Sequence, residues 1–177
     1  YTDNGIPLLH YGIDSRYGGI VKDCFENPTL VKSWVDIISE FNDDCKNLGV
    51  DTITAYNFGH DFGINGNAGV IRKTHQQYTD KNFYFPNGVK HFCLMEWVCR
   101  VLINRNFFLW IDKLPESQKI KMLTAKGNIS YSAETVGRYK GLDLDYGEKH
   151  IALPDCYLEM GLAKYMYNRY YKTLKLF

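Results

Sequence analysis

The sequence has little net charge, no long apolar run and no closely paired cysteines. Its 177 residues carry a formal net charge of +1, which argues against a broad basic face for nucleic acid, because non-specific DNA binding depends on clustered lysine and arginine. No segment approaches the roughly 18 to 20 apolar residues that cross a bilayer, and the first residues lack the pattern of a signal peptide. We therefore expect no membrane contact and no nucleic acid contact by this chain alone.

The cysteines are odd in number and lack CxxC spacing, which favours free thiols in a reducing compartment over a disulfide framework. They are Cys24, Cys45, Cys93, Cys99 and Cys156. His91 and Cys93 lie two positions apart on one predicted helix and point to different faces, so a zinc site there is disfavoured. These observations predict a cytoplasmic protein with no metal and no cofactor.

Catalytic chemistry has weak support. A cysteine nucleophile such as Cys24 would need His60 or His91 nearby as a base, and no family signature surrounds any cysteine. Asp143 and Asp145 share one face of a predicted strand, which indicates a solvated face more than an acid and base pair. The glycines between residues 59 and 69 fit no phosphate-binding pattern and predict a hairpin connection. We predict no enzyme, with a cysteine-dependent hydrolase as the alternative.

Periodicity predicts an irregular arm at residues 1–26 and one domain at residues 27–177. A helix opens at Asn27 and Pro28, and apolar residues recur at helical spacing until Gly49 ends it. Strands are predicted at 50–58, 70–72, 107–111, 129–136 and 141–146. Helices are predicted at 74–83, 89–104, from Pro115 to Gly127 and from Pro154 onward. The packed face of the last helix is predicted to hold Leu158, Leu162, Tyr165, Arg169 and Leu176. This order predicts an α/β (α+β) fold, an α-β-α sandwich with a five-stranded antiparallel sheet and helices on both faces.

The stretch from Thr74 to Trp110 concentrates aromatic residues beside uncharged hydrogen-bonding groups. That chemistry is typical of a pocket for a small, partly apolar ligand, although a filled core has the same composition.

Three segments, Tyr78 to Phe83, Pro86 to His91 and Phe107 to Asp112, resemble the ligand-binding domain of LuxR-type quorum-sensing regulators. The resemblance implies a sensory fold similar to GAF and PAS domains. Tyr78 matches the tyrosine that lines the acyl pocket, and Trp110 resembles the tryptophan that packs on the lactone ring. Thr74 stands where the family has a tryptophan, and Asn87 offers the nearest acceptor in place of the family's aspartate.

The resemblance implies a ligand site at Tyr78, Trp110, Asn87 and Thr74, to which we add Tyr56 of the first predicted strand. The implied ligand is a small amphipathic signal similar to an acyl-homoserine lactone. The implied function is control of transcription, directly or through a partner chain, with a homodimer or a partner protein expected. A ligand-free interaction module is the remaining alternative.

Overall fold

The structure is a computed structural model that describes residues 23, 26–63, 69–79, 86–142 and 152–174. The chain divides into two units, residues 1–48 and residues 49–177. The boundary predicted between residues 26 and 27 lies inside the first unit. The predicted arm at 1–26 falls almost wholly outside the described residues, so that division stays a prediction.

In the first unit, a serine cap starts one long helix. A 3-10 turn at Pro28–Leu30 precedes helix α1, Trp34–Asn47. The Ser33 hydroxyl accepts a hydrogen bond from the backbone N–H of Asp36 at 3.1 Å, which satisfies a donor that the start of a helix leaves open. Gly49 follows with a φ of 63°. The predicted helix end is therefore confirmed, while the helix begins six residues later than Pro28, at Trp34.

The described residues of the second unit form two short strands and helices of four to 23 residues. Its elements are β1 (Thr52–Ala55), α2 (Phe58–Asp61), α3 (Val70–Thr79), β2 (Lys90–Cys93), α4 (Leu94–Leu102), α5 (Arg105–Asp112), α6 (Glu116–Lys119), a 3-10 turn (Ile120–Met122), α7 (Ala133–Tyr139) and α8 (Ala152–Leu174).

Strands β1 and β2 form a parallel pair in which Ala55 lies opposite Cys93. The Thr54 hydroxyl donates a hydrogen bond to the carbonyl of Phe92 at 3.0 Å and ties the strands at the same level. Parallel neighbours need a long crossover connection, usually helical, and α2 and α3 lie in this one. The carboxyl ends of both strands therefore meet at one edge of the sheet.

The main core forms where α8 packs against α4 and α7. Its buried side chains are Tyr56, Leu94, Trp97, Val98, Leu102, Ala133, Val136, Leu158, Leu162 and Met166. The indole N–H of Trp97 donates to the Thr173 hydroxyl at 2.8 Å, so the polar end of this buried ring is satisfied. The predicted packing of Leu158 and Leu162 is confirmed, and Tyr165 is half-buried against the same core. The prediction is wrong for Arg169, which is exposed, and Leu176 lies outside the described residues.

The predicted five-stranded antiparallel sheet, and with it the α-β-α sandwich, is wrong. The described residues hold one two-stranded parallel sheet in a mostly helical chain. The predicted strands at 70–72 and 107–111 are helical, and 129–136 contains an isolated bridge at Ile129 followed by the start of α7. Residues 143–146 of the last predicted strand lie outside the described residues.

Several predicted helices also change at their ends. The predicted helix at 89–104 begins as β2 and becomes helical only at Leu94. The predicted helix from Pro115 to Gly127 is shorter, because it consists of α6 and a 3-10 turn. The predicted helix at 74–83 belongs to α3 as far as Thr79, and its remainder is outside the described residues. The last helix is confirmed.

Helix caps explain two of the wrong strands. Short apolar runs such as Phe107 to Ile111 do not distinguish a strand from a buried helix by periodicity. Asn104 settles this case, since its side-chain oxygen accepts from the backbone N–H of Asn106 at 2.9 Å and starts α5. Ser132 does the same for α7 by accepting from the N–H of Thr135 at 3.2 Å.

We expect Asn104→Ala to reduce the free energy of unfolding by about 0.5–2 kcal/mol, because α5 loses its capping acceptor. Asn104→Asp keeps an acceptor at the same place and should retain most of the stability. Urea denaturation of both variants measures the difference. If residues 107–111 were a strand, the two substitutions would have no reason to differ in this order.

Candidate functional site

A cleft of about 800 Å³ opens at the carboxyl end of β1. Its walls come from the end of β1, from α2, from the segment before α7 and from the first two turns of α8. Small-molecule pockets measure about 300–1,000 Å³. Its size makes this cleft the candidate binding site.

Tyr56 connects three of these walls: the end of β1, α8 and the segment before α7. It follows β1 directly, and its ring is buried. Its backbone N–H donates to Oε2 of Glu159 in α8 at 2.9 Å, and its hydroxyl donates to the carbonyl of Tyr131 before α7. A buried hydrogen bond contributes about 1 kcal/mol, and more when one partner is charged. The shape of the cleft therefore depends on this residue.

Three carboxylates line the cleft. Asp61 ends α2, and Asp155 and Glu159 lie four residues apart on α8, hence on one face of that helix. The described lining residues include no lysine or arginine, and Nδ1 of His60 lies 3.3 Å from Oδ1 of Asp61. A concave surface that carries charges of one sign concentrates ions of the opposite sign. The described lining thus carries three carboxylates on the walls formed by α2 and α8.

Cys156 lies between these carboxylates in the chain and also lines the cleft. Burial raises the pKa of its thiol above the ordinary value, and the charges of Glu159, Asp155 and Asp61 raise this pKa further. A catalytic cysteine needs the opposite environment, one that lowers the thiol pKa. The surroundings of Cys156 therefore disfavour its thiolate form.

Apolar and aromatic groups complete the lining. They are Phe62, Ile71, Met95, Ile129 and Tyr131. Phe62 is held in place by a stack on Phe58, with ring centroids 4.5 Å apart. A surface of this kind, with a few polar groups at one side, suits a ligand that has an apolar body and a charged end.

Of the five site residues predicted from the sequence, Tyr56 alone is among those lining the cleft. Tyr78 and Thr74 lie on α3, where Tyr78 is 58% exposed and the Thr74 hydroxyl donates to the carbonyl of Val70 at 2.9 Å. Asn87 is exposed in the turn that begins at Pro86. The structure does not bring these residues together around the cleft, and their role in binding stays a prediction.

Trp110 belongs to an aromatic cluster on α5 and α7. Its ring lies 5.9 Å from that of Phe107 and 5.2 Å from that of Tyr139, measured between centroids. Phe107 is fully buried, and Lys140 places its ammonium 3.8 Å from the Tyr139 ring centroid. Trp110 therefore packs within this cluster and is not among the residues that line the cleft, and its role in binding stays a prediction.

The described residues give little geometric support to a cysteine nucleophile, a histidine base or a metal site. Cys24, Asp143 and Asp145 lie outside the described residues. The ring of His91 stacks on Phe58 at 4.7 Å, and burial is the main cause that raises the pKa of Cys99. Within the described ranges, no three histidine, cysteine, aspartate or glutamate side chains are grouped to hold a metal ion.

Sequence reasoning missed the carboxylates of the cleft. Asp61 lies in the glycine-rich segment that predicted a hairpin, and Asp155 and Glu159 lie on a helix read only for its packed face. One signal was available, because Asp155 and Glu159 are spaced four apart and share a helix face. Their approach to Tyr56 was not available, since 103 residues separate Tyr56 from Glu159.

Comparison of the chain with protein-family models, with curated proteins and with solved structures gives no match. Among the helices that the structure describes, none combines the length and apolar character needed to cross a membrane.

We expect Glu159→Gln to lower the pKa of Cys156, because one of the carboxylates that disfavour the thiolate becomes neutral while an acceptor for the Tyr56 N–H remains. Alkylation of Cys156 by iodoacetamide, followed by peptide mass spectrometry from about pH 7 to about pH 10, should shift to lower pH. Glu116→Gln, at a side chain 79% exposed on α6, is the control. An unshifted profile would show that Glu159 has little influence on the thiol.

Proposed function

We propose that this protein is a binding module whose cleft holds a small organic cation with an apolar body. One observation carries the proposal: Asp61, Asp155 and Glu159 line the same cleft of about 800 Å³ as Tyr131, Phe62 and Met95. Carboxylates supply charge-assisted hydrogen bonds to an ammonium group. Aromatic rings add apolar contact and attract cations by their faces.

The sequence hypothesis of a small amphipathic ligand is kept in this proposal, but the charge of the ligand and its contact residues are different. An acyl lactone has no positive charge to match the carboxylates, and its predicted contacts Tyr78 and Trp110 do not line the cleft. The fold implied by the resemblance is also wrong, so the fold gives it no support. Control of transcription stays a prediction of that resemblance.

A hydrolase that uses Cys156 is the second candidate, because His60 lines the same cleft. The raised pKa of Cys156 works against it, since the thiolate is the nucleophile. Binding without catalysis needs no such ionisation and agrees with the charges present.

Phenethylamine and 2-phenylethanol test the charge requirement, because they share a ring and a chain length and differ in the ammonium group. We expect phenethylamine to raise the melting temperature and 2-phenylethanol to raise it less, since a ligand that binds only the folded state stabilises it. The effect of the amine should weaken as salt rises.

The double variant Asp155→Asn, Glu159→Gln should bind phenethylamine at least about tenfold more weakly, equivalent to about 1.4 kcal/mol. Glu116→Gln, which removes a carboxylate that does not line the cleft, should bind as the parent does. Isothermal titration calorimetry measures both. Equal affinity for the amine and the alcohol, or unchanged affinity in the double variant, would contradict the proposal.

A further inference from the structure

Helix α8 is apolar on two opposite sides. One side is buried against α4 and α7 through Leu158, Leu162 and Met166, which are at most 6% exposed. The other side carries a stripe that we call the outer seam, and most of it is exposed. Its residues are Leu153, Tyr157, Met160, Lys164, Tyr167 and Tyr171.

The outer seam follows the spacing of a coiled coil. Successive members are four, three, four, three and four residues apart, which is the alternation of a and d positions in a heptad repeat. At about 100° per residue, the six side chains fall within roughly 80° of the helix surface, opposite Leu162. A regular stripe over five turns is unlike the scattered apolar residues of an ordinary surface.

The exposed fractions give the area available for a contact. Leu153 is 63% exposed, Tyr157 54%, Met160 44%, Tyr167 56% and Tyr171 48%. With large side chains of this type, the five residues offer on the order of 600 Å² per helix, and two such helices about 1,200 Å², the lower limit of a specific interface. Complete burial of both seams would therefore just reach the area of a small specific interface.

The positions that flank the seam carry no charge. They are Pro154, Cys156, Gly161, Ala163, Asn168 and Tyr170. In coiled coils, charges at the flanking e and g positions choose between partners of different sequence. With no such charges, nothing at the flanks disfavours a second copy of the same helix or selects a different chain.

We propose that the outer seam of α8 packs antiparallel against the outer seam of a second copy of this chain. Lys164 determines the direction. In a parallel pair the two Lys164 ammonium groups would lie in the same layer, where like charges repel. In the antiparallel pair, a positions face d positions of the second copy, so each Lys164 lies opposite Met160 of the second copy.

The same register pairs the remaining members. Tyr157 lies opposite Tyr167 of the second copy, and Leu153 lies opposite Tyr171 of the second copy. Each of these contacts occurs twice in the dimer, as a two-fold axis requires. Asp155 and Glu159 lie on the core-facing side of α8, so the pairing leaves the carboxylates of the cleft on the far side of each helix.

Sedimentation velocity from about 1 µM to about 200 µM tests the pairing. We expect the parent chain to dimerise in this range. Met160→Lys places a second charge in the layer that holds Lys164 and should raise the dimer dissociation constant at least about tenfold. Lys172→Glu changes a charge on the exposed surface of α8 away from the seam and should dimerise as the parent does.

The double variant Met160→Lys, Lys164→Glu tests the direction. In the antiparallel pair the ammonium introduced by the first substitution would face the carboxylate introduced by the second in the other copy, and dimerisation should return to within a few-fold of the parent. In a parallel pair like charges would stay in like layers. Circular dichroism confirms that each variant folds. A parent chain that stays monomeric, or a Met160→Lys variant that dimerises normally, would overturn the proposal, and a double variant that remains monomeric would overturn the antiparallel direction.

Discussion

The burial of one face of α8 is the interaction on which the rest of the second unit depends. Leu158, Leu162 and Met166 fill the space between α4 and α7, and removing one such side chain costs about 2–5 kcal/mol. A domain has only about 5–15 kcal/mol of net stability, so a single truncation here removes a large part of it. The two-stranded sheet is too small to provide an alternative core.

The same helix serves different purposes on different sides. Its buried side stabilises the fold, its first two turns place Asp155 and Glu159 in the cleft, and its exposed side presents the outer seam. Because one rigid element carries all three surfaces, a change in the helix axis would alter packing, charge placement and seam geometry together. Trp97 limits such a change, because its indole N–H is bonded to Thr173 near the carboxyl end of the helix.

Residues that act on their own part of the chain predicted where some helices begin or end. Gly49 ends α1 as expected, and Pro154 lies in the first turn of α8, where proline is tolerated. Apolar runs misled where caps decided the outcome: Asn104 and Ser132 make helices of segments rich in β-forming residues. For the site, the sequence supplied Tyr56 but not its partners, because hydrogen bonds to Tyr131 and Glu159 join parts of the chain that no local pattern connects.

The hydrogen bond between Tyr56 and Glu159 joins residues 103 positions apart in the chain. This separation has a consequence for the order of folding. Contacts between distant residues form slowly, since the entropy of loop closure must be lost before they contribute any stability. During synthesis, the segment from β1 through α7 emerges from the ribosome before α8 does. For a time the nascent chain therefore exposes the walls from β1, from α2 and from the segment before α7 without the carboxylates of α8 opposite them. A ligand that contacts the whole cleft therefore stabilises only those chains in which α8 has already packed against the other walls.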